Sequence, residues 1–301
     1  MVETVENAAT ERPLWLKIWQ FPLVAMIVAI VLILLMTALV QLFSEVVLND
    51  ALGEPGSMIA TVVLLVAALT SIYKVAIRRL GRKKRDDLPL PPMLRDTGLG
   101  FAGGAVLISL CVGLAALFGV YRIQGGDNFT DWPTIVFLFG VYAGFFEELL
   151  MRGIVLRWLE EMTGTWIALA ISSLLFGFGH AWNDNATVVS STAIAIEAGI
   201  LLGAAYILTR SLWLAIGLHA GWNVVQALWD VPVSGNPTVG PVAATLEGPD
   251  LLAGGGFGLE ATVFALIVAT SAGVWMLVLA ARRRRIVRPM WSRRGADITP
   301  S

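Results

Sequence analysis

Cysteine is all but missing from this chain. Cys111 is the sole one in 301 residues, so no internal disulfide can form, and its place in an apolar run points to a small buried packing residue. Charge is scarce as well: 14% of residues are Asp, Glu, Lys or Arg, where soluble domains carry about 25%, while 57% are hydrophobic. That ratio excludes an ordinary soluble fold. The net charge of −1 hides strong segregation along the chain and by itself says nothing about nucleic-acid binding. There is no H-E-x-x-H zinc motif, no serine in a G-x-S-x-G setting, no glycine-rich nucleotide pattern and no repeat. The lone cysteine has no histidine near it in sequence. Zincin, serine and thiol chemistry are therefore poorly supported.

What the chain does contain is long apolar stretches. A bilayer-crossing helix needs about 20 predominantly apolar residues, and about eight such stretches occur, near 21–43, 57–77, 97–120, 133–157, 165–182, 188–208, 211–230 and 260–281. The fold class expected is all-α, a polytopic membrane helix bundle forming one integral membrane domain over 1–301. The first stretch is too long for a signal-peptide core and follows Glu3, Glu6 and Glu11, so it reads as a retained span.

Basic residues segregate to Arg12 and Lys17, to Arg78, Arg79, Arg82, Lys83, Lys84 and Arg85, and to Arg282–Arg285 with Arg288, Arg293 and Arg294. By the positive-inside rule both termini are cytoplasmic, with a basic tail over 282–301, and the cell membrane is the expected location. The opposite loops carry Glu45, Asp50, Glu54, Asp127, Asp131, Asp184, Asp230, Glu247 and Asp250, with Arg122 as the basic exception. The arginine clusters suit anionic lipid headgroups. Trp15, Trp19, Trp132, Trp166, Trp182, Trp213 and Trp229 fall near span ends, where amphipathic rings prefer the headgroup level. Gly81 to Arg95, with Pro89, Pro91 and Pro92, reads as a cytoplasmic linker, and 231–259 as an irregular external segment able to move. Gly100-x-x-x-Gly104 and Gly199-x-x-x-Gly203 fit close helix packing.

Ionisable side chains at the centre of a bilayer cost at least about 2.5 kcal/mol each, which makes those retained there candidates for function. The fourth stretch holds Glu147, Glu148 and Arg152. Glu148 and Arg152 are four residues apart with the acid first, the favoured order for a helical pair. Glu147 points about 100° away and has no local partner, which leaves it free to accept a proton. The plainer reading is that both acids cap a helix end together with Glu160 and Glu161. In the fifth stretch, Phe176 stacks on the face of His180; in the seventh, His219 and Asn223 share a face, and both can donate hydrogen bonds. Ala220 and Gly221 leave room there for another helix or a substrate backbone. A carboxylate base, an imidazole to orient water and a pair of donors for an oxyanion make an inventory for amide hydrolysis without a covalent nucleophile.

At these residues the chain resembles the CPBP family of intramembrane glutamic endopeptidases, also called the CAAX prenyl protease 2 or Abi family. The signatures E-E-x-x-x-R, F-x-x-x-H and H-x-x-x-N appear in order as Glu147-Glu148 to Arg152, Phe176 to His180, and His219 to Asn223. The resemblance covers 133–230, roughly a third of the chain, and implies a catalytic core there. It implies that Glu147 and His180 activate water, that His219 and Asn223 stabilise the oxyanion, and that Glu148 and Arg152 hold the fourth helix in place. It further implies a membrane-associated protein or peptide as substrate, with no metal and no other cofactor. The partners expected are that substrate and the bilayer, with no nucleic acid. Substrate identity and oligomeric state are left open. So are two alternatives: a zinc hydrolase using Glu147, His180 and His219, and a non-catalytic membrane scaffold or regulator.

Two tensions remain in this reading. At about 1.5 Å per residue, the span boundaries place Glu147 about 20 Å below the outer face, but His180 about 20 Å and His219 about 12 Å above the inner one. Tilted, broken or re-entrant helices around a wet cavity would reconcile them. Glu197 in the sixth stretch is a further buried acid that the signatures leave unexplained. It is expected to pair with Arg152 or Arg210, or else to line the same cavity.

Overall fold

Within a bilayer core, water is not there to bond backbone N–H and C=O groups, so an apolar run must satisfy them inside its own helix. The computed structural model describes residues 13–81, 85–126, 129 and 131–293. Glu3, Glu6, Glu11, Arg12, Arg82, Lys83, Lys84, Asp127 and Arg294, with the remainder of the basic tail, lie outside the described residues. Helices occupy all eight expected positions: α1 (Pro22–Leu52), α2 (Gly56–Val75), α3 (Met93–Leu117), α4 (134–163), α5 (165–179), α6 (Val188–Thr209), α7 (Trp213–Leu228) and α8 (Val263–Arg282). Six stretches are long and apolar enough to cross a membrane. The count falls below eight because α4 and α5 run on as one stretch, Thr134–Trp182, and α7 has only 16 residues. Leu35, Leu39, Val63, Val106 and Trp275 all project outward and more than half exposed, an apolar exterior that suits lipid.

The break between α4 and α5 falls at Gly164, with φ 78° and ψ 169°, a left-handed backbone that glycine adopts without steric cost. A side chain there would also strike Val287 and Pro289. The segment after α8 pins this turn: Thr165 N–H donates to the Val287 carbonyl (3.0 Å), and Val287 N–H donates back to the Thr165 hydroxyl (2.8 Å). The helix thus continues past 157, the boundary read from the sequence, and reverses at 164. Around the paired glutamates, α4 is α-helical over Ala143–Leu150 but π-helical over Thr134–Tyr142 and Met151–Leu156, a widened winding often met beside functional sites.

Helices α3 and α7 meet through glycines on both sides. A Cβ on Gly100 or Gly104 would overlap the backbone oxygen of Leu214 or Leu218, and one on Gly217 or Gly221 that of Thr97 or Phe101. Gly221 therefore admits a neighbouring helix. Gly199 and Gly203 likewise seat α6 against Ser173 and Leu169 of α5. Because Gly217 and Gly221 flank His219, this contact sets where the histidine stands. Overpacking usually costs about 1–3 kcal/mol, and here backbone rather than a flexible side chain would have to yield. Gly104→Val is expected to lower the melting temperature in detergent markedly; an unchanged melt would refute this account of the α3–α7 contact.

Two connecting segments are built into the fold. The linker 81–95 packs against the helices: Asp87 and Leu88 are fully buried, and Asp87 bonds Arg157, Arg85, Tyr73 and Tyr206. The stretch 231–259 is a folded cap. Its apolar residues lack a period because turns at Gly235, Gly254 and Gly258, all with positive φ, redirect the chain, yet Val231, Val233, Phe257 and Leu259 are buried. It also contributes β2 (Val242–Leu246), which pairs antiparallel with β1 (Tyr121–Gly126), a small sheet in an otherwise helical fold. Asp230 anchors it by accepting the Ala244 N–H (2.9 Å), and Tyr121 donates to the Trp229 carbonyl (2.8 Å). Burial, reinforced by Asp230, pushes the Tyr121 hydroxyl up to about 12, so it stays a neutral donor. Trp166 and Trp182 stand exposed at helix ends as expected, whereas Trp213 is buried and its indole N–H reaches the Pro89 carbonyl. Cys111 is fully buried.

Candidate active site

The reversal at Gly164 resolves the mismatch in depth. Glu147 stands 17 residues before that glycine and His180 16 residues after it, so at about 1.5 Å per residue the two rise to nearly the same height on adjoining helices. Oε2 of Glu147 lies 3.9 Å from Nε2 of His180 and 3.9 Å from Nε2 of His219. That oxygen is buried and has no hydrogen-bond partner among the described residues, although the Glu147 side chain as a whole is 29% exposed. A gap of 3.9 Å is too long for a direct hydrogen bond and short enough for one water molecule to reach both atoms.

The far side of each ring is held. His180 Nδ1 lies 2.8 Å from the Phe176 carbonyl, an acceptor only, so this nitrogen carries the hydrogen and Nε2 faces Glu147. His219 Nδ1 donates to Oε1 of Glu148 at 3.0 Å, and the same oxygen accepts from Arg152 Nη1 at 2.8 Å. Glu148 and Arg152 are both buried, and the arginine also donates to the Ala198 carbonyl of α6 (3.2 Å). The expected ion pair is present, and it does more than brace α4: Glu148 orients a ring on α7. Sequence spacing could not show this link, because it joins residues 71 apart.

Phe176 packs edge-on against His180 (4.9 Å between centroids) and reaches His219 (6.0 Å), while the Arg152 guanidinium lies 4.3 Å over its face. The aromatic wall expected for one histidine thus serves both. Asn223, one turn beyond His219, donates one amide hydrogen to the Phe139 carbonyl of α4 at 3.0 Å, leaving its second available. Phe176, His180, His219 and Asn223 line one open cavity, together with Trp222 and Leu218. All seven residues singled out from the sequence fall in one neighbourhood.

Other expectations are corrected. Glu147 and Glu148 do not cap a helix end with Glu160, which lies 13 residues further along, or about 20 Å, and is bound by Arg210 and Thr165. Glu197 pairs with neither arginine, since Arg152 is taken by Glu148 and Ala198 and Arg210 by Glu160. It stands about 20 Å up α6 from Arg210 and lines the cavity instead. Glu260 and Ser234, which sequence reasoning passed over, reach the cavity from the cap. The signal for Glu260 was an acid just ahead of an apolar run.

Comparison with curated proteins and with solved structures finds no match. A family model described as type II CAAX prenyl endopeptidase, Rce1-like, matches residues 128–225, about a third of the chain and the part that holds all three signatures. With its apolar helices, the chain is a multi-pass integral membrane protein whose signature-bearing segment is similar to the Rce1-like CAAX prenyl endopeptidases, which supports the resemblance to the CPBP family.

Proposed function

We propose that the protein hydrolyses a peptide bond of a membrane-associated protein or peptide with water activated by Glu147 and His180, without a metal. The observation that carries this reading is the position of Glu147 Oε2, 3.9 Å from both Nε2 atoms. Water bonded to Glu147 and to the His180 Nε2 lone pair attacks the scissile carbonyl carbon as Glu147 takes one of its protons. The developing oxyanion is met by the free N–H of Asn223 and by His219, which carries protons on both nitrogens at that step because Nδ1 is already bonded to Glu148. As the carbon–nitrogen bond breaks, Glu147 returns its proton to the leaving amine. A prenylated C-terminal tail is one candidate substrate, by analogy with the matched family.

Both termini are cytoplasmic in this reading, and the cell membrane is the site of action. In support, the basic segments gather at one end of the bundle: Arg85 and Arg157 share Asp87, Arg210 bonds the Arg285 carbonyl, and Arg293 reaches the carbonyls of Glu160 and Glu161.

Comparing protein termini in membranes from cells with wild-type protein and with Glu147→Ala tests the reading and finds substrates together. New termini should appear with the wild type only. Purified protein stripped by a chelator and shown to be free of zinc should still cleave those substrates. Activity lost on stripping and regained with zinc would install Glu147, His180 and His219 as ligands instead, and phenotypic rescue by Glu147→Gln would favour a non-catalytic scaffold.

A further inference from the structure

Two carboxylates that the reaction leaves idle face the same cavity: Glu197 from α6, and Glu260 from the cap just ahead of α8. Glu260 is anchored, its oxygens accepting the Ser234 N–H and hydroxyl. Glu197 is 1% exposed, and its Oε2 has no hydrogen-bond partner among the described residues. A buried carboxylate without a counter-charge is costly, and the two arginines expected to supply one are committed elsewhere. Among the described residues no lysine or arginine lines the cavity; between the two acids and the histidines its wall is largely apolar, with Ile194, Leu201 and Leu202. An entering group that carries a positive charge would supply what this wall lacks.

We propose that Glu197 and Glu260 form a recognition pocket for a positively charged side chain, ammonium or guanidinium, next to the bond that is cut. The position of that bond rests on the proteolytic reading above. A lysine or arginine suits the wall along its whole length, because its methylene stem packs on Ile194, Leu201 and Leu202 while its head reaches the acids. Selectivity follows from the surroundings: charges interact far more strongly away from water, and a neutral residue in the same place supplies neither carboxylate with a counter-charge. His180 and His219 line the same cavity, so a residue seated on the acids sits beside the reacting carbonyl.

Calorimetric titration of hexylguanidinium and of its neutral isostere hexylurea into the full chain in detergent tests the pocket without any cleavage. The wild type should bind the guanidinium at least ten times more tightly than the urea, and Glu197→Gln should reduce the difference below threefold. Glu260→Gln should act in the same direction, which keeps the test decisive should the Glu197 variant not fold. Equal binding of the two probes by the wild type, or a preference kept in both variants, overturns the proposal. In a second arm, peptides cleaved by the wild type should be enriched in Lys or Arg within two residues of the cut. Glu197→Gln should lower kcat/KM at least tenfold for arginine peptides but not for their citrulline counterparts. Cleavage with no basic enrichment counts against the pocket; a wild type that cleaves nothing counts against the proteolytic reading, and the titration then still decides on the pocket.

Discussion

Glu147→Gln should lower kcat by about 10²–10⁴-fold, the usual contribution of a positioned general base, while leaving the melting temperature close to that of the wild type. The amide keeps the shape of the carboxylate but cannot take a proton from water or return one to the leaving amine. Folding should tolerate it because Oε2 of Glu147 bonds to nothing in the protein described here, whereas Glu148 beside it holds both Arg152 and His219. His180→Ala should cost a similar factor, and the double variant little more than either alone, since both act on the same water. The measurement is turnover of a membrane-anchored reporter identified from the comparison of termini, alongside a thermal melt. Wild-type turnover by Glu147→Gln would remove the glutamate from the reaction; a collapsed melt with lost turnover would make its role structural.

The largest expected effect on stability lies outside the site. Asp87→Ala should destabilise the fold by about 3–5 kcal/mol, the cost of breaking a buried ion pair from one side. Asp87 and Arg157 are both fully buried and 3.0 Å apart, Arg85 lies 2.7 Å from the other carboxylate oxygen, and Tyr73 and Tyr206 donate to the same group at 3.0 and 3.1 Å. One carboxylate thereby ties α2, α4 and α6 together, and its loss would take from two arginines the acid they share. The neighbouring pair Lys74–Asp86 is a control. It is as close, at 2.7 Å, but both side chains are partly exposed, so Asp86→Ala should cost under about 1 kcal/mol. Melting or denaturant titration in detergent compares the two; similar losses for both variants would dismiss the special place of Asp87.

The linker that carries Asp87 shows why part of the fold was hidden in the sequence. Charges and prolines over 81–95 read as a cytoplasmic linker, and nothing local reveals that tyrosines and an arginine from helices up to 121 residues away close over it. The cap over 231–259 was hidden for a related reason: its buried residues follow turns and not a helical or strand period. The site itself was more legible. Glu148 and Arg152, Phe176 and His180, and His219 and Asn223 are each one helical turn apart, and helix geometry alone puts such residues on one face. What spacing could not supply was height, since that depended on where α4 ends. The turn lies at Gly164, and only a packing partner, the backbone of Val287 and Pro289, makes the position visible.

Composition and periodicity by themselves determined that this is a helical membrane protein and singled out the side chains proposed to carry its chemistry, because hydropathy and the 3.6-residue turn are local properties of the chain. The tertiary structure decided how those side chains meet: that Glu148 serves His219, that Glu197 has no cation beside it among the described residues, and that Glu260 arrives from the turn between the cap and α8. These are contacts between residues far apart in sequence, and they depend on backbone reversals and on close helix approach, which no local pattern encodes.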